Sequence, residues 1–105
     1  MTIYLDGNKI AIKGPITFNN VVELTQRGIG LIDSYCQIID LNEVTEVDSS
    51  AVSMLLEWLR IAKMRKIDLH LVHFPENLNS LLKLYGLSGI ILPPNKLFPN
   101  HSFFV

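Results

Sequence analysis

The sequence predicts an α/β fold: one mixed sheet with helices packed against it, opening on a β-hairpin. Short β-like runs alternate with stretches of helical periodicity, the pattern of strands joined by crossover helices. Turn signals, Asp6-Gly7-Asn8 first among them, punctuate the runs. With 105 residues, of which 49% are hydrophobic and 18% charged, the chain can fill one two-layer core and is too short for two.

Each element has its own signal. Thr2 to Leu5 and Ile10 to Ile12 read as strands of a hairpin around Asp6-Gly7-Asn8, and Gly14-Pro15 ends the second. Thr17 is placed to cap a helix carrying Phe18, Val21, Val22 and Leu24, which fades near Arg27-Gly28. Tyr35 to Leu41 is a short isoleucine-rich run, the mark of a buried strand. A long helix follows from about Ser49 to Arg65, then a strand from Ile67 to Phe74. Pro75 suits the first turn of a third helix, since its missing N–H has no helical partner there. Leu78, Leu81, Leu82 and Tyr85 share a face at i, i+3, i+4 and i+7, and Gly86 supplies a left-handed stop. Leu87 to Leu92 predicts a last strand, so the sheet has four or five.

Composition excludes several functions. A net charge of -1 with scattered Lys and Arg provides no nucleic-acid footprint. No run approaches the roughly 18–20 apolar residues of a membrane span, and the N-terminus has no signal-peptide pattern. The expectation is a cytoplasmic protein without direct membrane insertion. Cys36, the single cysteine, lies in the apolar run YCQIIDL and reads as a small buried hydrophobe. His70 and His73 sit at odd spacing on a predicted strand, so they point to opposite faces and cannot share a metal ion; His101 stands apart. There is no Gly-x-Ser-x-Gly and no Gly-x-x-x-x-Gly-Lys loop. No catalytic residues, no metal and no cofactor are expected; the chain reads as a non-enzyme.

The informative stretch is EVDSSAVSMLLEWLRIAKMRK, Glu46 to Lys66. At about 100° per residue, Val52, Leu55, Leu56 and Leu59 form one apolar side, the core face. The opposite side carries Ser50, Met54, Trp58, Ile61 and Arg65. This second stripe either packs under neighbouring helices or is a protein-binding face, since Trp, Met and Arg are enriched at interface cores. The partner-binding set expected on the second reading is Asp48, Ser49, Ser50, Met54, Trp58, Ile61 and Arg65. On that reading Trp58→Ala weakens partner binding with little loss of folding. Asp48 is well suited to cap the helix, and a phosphate on Ser50 would sit at its positive end.

The segment IIDLNEVTEVDSSAVSMLL resembles the strand–loop–helix signature of the STAS domain family. Two branches compare. In anti-sigma factor antagonists the motif reads Asp-Ser-Ser-Gly and its second serine, here Ser50, is phosphorylated by a partner kinase. In the STAS subunit of the Mla phospholipid ABC transporter it reads Asp-Thr-Gly-Gly, with Ser49 at the threonine position. Ala51 departs from both. LLKLYGLSGIILP, Leu81 to Pro93, and LEWLRIAKMRK are similar to the transporter subunit. The resemblance implies a STAS domain over residues 1–93 and a tail over 94–105 that contains Phe98, Phe103 and Phe104. It also implies a non-enzymatic cytoplasmic subunit, peripheral to the inner membrane, that binds and supports an ABC ATPase maintaining outer-membrane lipid asymmetry. The alternative it implies is an anti-sigma factor antagonist switched at Ser50.

Overall fold

A computed structural model describes residues 2–87. The expected last strand after Leu87, His101 and the 94–105 tail lie outside the described residues. The element order is β1 (Thr2–Asp6), β2 (Lys9–Ile16), α1 (Val21–Leu31), β3 (Ile38–Val47), α2 (Ser49–Met64), β4 (His70–Val72) and α3 (Glu76–Leu84). The strands form a mixed sheet in the order β1-β2-β3-β4. β1 and β2 pair antiparallel around a two-residue turn in which Gly7 takes φ +64°, a conformation that favours glycine. β2, β3 and β4 run parallel. Right-handed crossovers between these neighbours put α1 and α2 on one face of the sheet. α2 packs against α1 on one flank and α3 on the other, so it is the middle helix.

Side-chain alternation divides the sheet accordingly. Ile3, Ile10, Ile12, Ile39, Leu41 and Leu71 face the helices and are buried. They meet Leu24 of α1, Val52 and Leu55 of α2, and Leu78 and Leu82 of α3 in one core cluster. Cys36 is buried in the same cluster, as expected of a small hydrophobe. On the open side, Asp40 accepts from the Asn42 N–H (2.9 Å) and lies 3.1 Å from His73 Nδ1 and 3.8 Å from Lys9 Nζ. Desolvation pushes the Asp40 carboxyl upward, but these three neighbours outweigh it and hold the group below the usual aspartate range. His73 lies beyond β4 with a left-handed backbone (φ +59°), rather than on the strand.

Several boundaries differ from expectation. Gly14-Pro15 does not end β2, which continues to Ile16: Gly14 takes φ +99° where the pairing with β3 slips by a residue, and a bulge tolerates proline. β3 starts later than Tyr35 and runs on through Asn42–Val47. Its buried residues fall at Ile39, Leu41 and Val44, a spacing of two and then three, because each register shift inserts an unpaired residue. Plain alternation therefore does not reveal the second half of this strand. β4 keeps only three residues of the expected Ile67–Phe74. Thr17 begins a turn instead of capping α1, and Asn20 stands at the N-cap. α1 runs through Gly28, whose missing side chain is required: a Cβ there would clash with the Trp58 indole.

Candidate partner-binding surface at the start of α2

The start of α2 is held by one carboxylate. Asp48 Oδ1 accepts the Ser50 N–H at 2.9 Å, the side-chain cap expected of this residue. Its Oδ2 accepts the Phe18 N–H at 3.0 Å, so the same side chain ties the loop before α1 to the helix. That loop is further braced where Asn20 Oδ1 accepts the Thr17 N–H (3.0 Å) and Asn20 Nδ2 donates to the Pro15 carbonyl (2.9 Å). The Phe18 N–H does most to hold the Asp48 carboxyl below the usual aspartate range; desolvation opposes it, and the Ser50 N–H and hydroxyl reinforce it.

Removing this carboxylate has a defined expected cost. Asp48→Ala is expected to lower stability by about 0.5–2 kcal/mol at neutral pH, the range for a lost helix cap. A depressed folded-state pKa means the contribution is present above the unfolded value of about 3.9 and is lost as pH falls through the lower folded value. Urea unfolding at neutral pH and again below about pH 4 should therefore show the difference from wild type shrinking in acid.

Around this cap the surface is apolar. Phe18 is 74% exposed and Val22 67% exposed, and Tyr85 is also exposed. Ser50 is half-buried and opens on a groove of about 460 Å³ between α1 and α2, floored by Val21, Val22 and Met54 and rimmed by Ser53 and Glu57. Ser49 is exposed and opens the other way, on a groove of about 360 Å³ lined with Val52, Leu56 and Tyr85. Ser53 borders both grooves. Two grooves thus flank a ridge of small hydroxyl residues, a shape able to accept apolar side chains from another protein.

Asp48, Ser49 and Ser50 are brought together as expected, but Met54 and Trp58 of the expected set are buried, and Arg65, though exposed, is bonded to α1. Trp58 is fully buried and Met54 is 1% exposed. The indole lies on Gly28, and its Nε1–H donates to the Thr25 carbonyl at 3.0 Å. Ile61 is half-buried. The Arg65 guanidinium donates to the Ile29 and Ile32 carbonyls at 2.6 and 3.0 Å, closing the C-terminal end of α1. The second apolar stripe is therefore the seam between two helices of this chain, and the expectation that Trp58→Ala spares folding is overturned. A middle helix is apolar on two sides because it has neighbours on two sides. Its solvent edge is Ser49, Ser53, Arg60 and Met64 instead. There Arg60 makes a forked ion pair with Glu57, with contacts of 2.9 and 2.7 Å.

Phe18, Val22, Ser53 and Tyr85 are the site residues that sequence reasoning did not single out. The Asn19-Asn20 pair was the available signal for Phe18: an asparagine N-cap places this phenylalanine before the helix rather than on its core face.

The comparisons with known proteins agree with this architecture. The solved structure of the anti-sigma factor antagonist SpoIIAA in its unphosphorylated form is similar in fold, with a TM-score of 0.65 at 15% identity, over 83% of this chain and 81% of that one. No curated protein matches the chain. The family described as "Mlab, STAS domain" matches residues 2–94, spanning every described element. This chain belongs to that STAS domain family.

Proposed function

We propose that the chain is a non-enzymatic interaction subunit that docks the ATPase of a phospholipid-transporting ABC complex through the start of α2. The observation carrying this reading is the set of exposed apolar residues beside the helix start: Phe18 tied to Asp48, Val22 at the groove of Ser50, and Tyr85 at the groove of Ser49. Exposed apolar residues clustered beside a rigid cap mark an interaction site better than scattered ones do. Membership of the family described as "Mlab, STAS domain" supports the transporter assignment, because that description names the Mla system. No helix among the described residues is long and apolar enough to cross a membrane, which fits contact with the inner membrane through the ATPase. In this reading the chain works on the cytoplasmic side, stabilises the ATPase and so supports outer-membrane lipid asymmetry. Residues 1–93 form the docking domain and 94–105 a tail.

The similarity in fold to an anti-sigma factor antagonist favours a second reading, a switch phosphorylated at Ser50 by a partner kinase. The half-buried Ser50 hydroxyl at the groove between α1 and α2 is where a phosphate would add charge to an otherwise apolar contact.

Affinity capture of the tagged chain from its native host separates the two readings. The first expects an ABC-type ATPase with membrane subunits and an intact mass without phosphate. Recovery of a small kinase-like protein, with stoichiometric phosphate on Ser50, contradicts it and establishes the second.

A further inference from the structure

At the far side of the sheet, β1 is an edge among the described strands, and it has few of the devices that normally blunt one: a charge at Asp6 and the Arg27 guanidinium on its Ile3 carbonyl. Thr2–Asp6 contains no proline and no lysine. Its pairing with β2 holds a single register from Thr2↔Lys13 to Asp6↔Lys9, with no bulge. The two-residue turn makes Asp6 and Lys9 the closing hydrogen-bonded pair, so alternation turns the N–H and C=O of Ile3 and Leu5 outward. The Ile3 carbonyl bears this out: it accepts from Arg27 Nη2 of α1, at 3.3 Å. Beside the strand lies a groove of about 360 Å³ bordered by Ile3, Leu5, Arg27, Gly30 and Leu31. Leu5 is 51% exposed on its rim.

We propose that this edge is a docking site for a second copy of the chain, through antiparallel β1–β1 pairing about a two-fold axis at Tyr4. In that register Ile3 of each copy lies opposite Leu5 of the other. Every outward N–H and C=O of both residues is then paired. Registers centred on Ile3 or Leu5 pair only one of the two within the strand. The pairing also keeps the sides of the sheet consistent: Ile3 and Leu5 stay on the helix side, covering the exposed Leu5 and the groove, while Thr2, Tyr4 and Asp6 stay on the open side. Asp6 falls opposite Thr2, so no like charges meet across the strands. Arg27 is the guard, because its contact with the Ile3 carbonyl must yield to the incoming N–H. The site is independent of the α2 surface, which a β1-paired dimer leaves open on both copies.

Sedimentation equilibrium of the full chain tests the pairing, with the wild type, Arg27→Ala and Leu5→Pro measured over concentrations up to about millimolar. Wild type should show concentration-dependent dimerisation, and Arg27→Ala should tighten it roughly tenfold. Leu5→Pro should abolish it, because proline removes an outward N–H and leaves the ladder with β2 intact. If circular dichroism shows that Leu5→Pro perturbs the fold, Leu5→Lys serves as the second variant, with the same loss expected. Wild type and Arg27→Ala remaining monomeric throughout overturns the proposal, as does a dimer that survives Leu5→Lys. A monomer whose β1 edge gains hydrogen-exchange protection only on adding the ATPase assigns the edge to a partner strand and overturns self-pairing too.

Discussion

Trp58→Ala is expected to lower the stability of the domain by about 3–5 kcal/mol, the range for truncating a buried aromatic to alanine. The indole is completely enclosed between α1 and α2, stands on Gly28, and donates to the Thr25 carbonyl. Its loss opens a cavity at the centre of the helix layer and removes the ring on which Gly28 of α1 packs. Against a typical total of about 5–15 kcal/mol, this leaves a chain close to its unfolding limit. Gly28→Ala should be destabilising for the mirror reason. Alanine favours a helix over glycine by about 1 kcal/mol, but here the added methyl must push the ring aside, and overpacking costs about 1–3 kcal/mol. In the double variant the methyl enters the space the indole vacates, so the two losses should add to less than their sum. Urea unfolding of the four proteins measures all of this. A Trp58→Ala variant within about 0.5 kcal/mol of wild type, the scale of a neutral surface change, would contradict the packing described for the seam.

Phe18→Asp is expected to do the opposite: little to folding and much to partner binding. The ring is largely in solvent, and its backbone N–H, which Asp48 accepts, is kept in the variant. Stability should move by no more than about 0.5 kcal/mol. A carboxylate placed in the middle of an apolar contact should weaken ATPase binding by at least about 2 kcal/mol, roughly thirtyfold, as loss of an interface hot spot does. Val22→Glu, in the groove onto which Ser50 opens, should act in the same direction. Titration calorimetry with the purified ATPase measures both, with Arg60→Ala as a control at the far end of the α2 solvent edge. Equal affinities for wild type and Phe18→Asp would remove Phe18 from the interface.

These two expectations mark where the sequence is legible and where it is not. The hairpin, the order of strands and helices as far as α3, the Asp48 cap and the stop at Gly86 follow from local chemistry, and the structure has them: Asp48 bonds Ser50, and Gly86 takes φ +70°. Local chemistry does not say how many neighbours a helix has. Two apolar stripes on α2 are compatible with a buried seam or an exposed face, and only the presence of α1 with a glycine opposite Trp58 decides between them. Gly28 looks like a helix stop when α1 is read alone; with Trp58 in view it is a packing requirement. The second half of β3 stayed hidden for a different reason, since its bulges break the two-residue period on which strand recognition depends. Phe18 and Val22 read from the sequence simply as apolar residues carried by the first helix, with nothing local to say whether they are covered. The structure puts Phe18 before α1 and leaves both residues exposed, which makes them available to a partner.

Hydrogen exchange of this chain, alone and bound to the ABC-type ATPase, tests the central claim most directly. Binding through the start of α2 predicts new protection in residues 17–23 and 48–54 and around Tyr85, with the amides about Trp58 already slow in the free chain and unchanged by the partner. Protection that appears instead along residues 58–65, or a free chain in which the amides about Trp58 exchange rapidly, would contradict it.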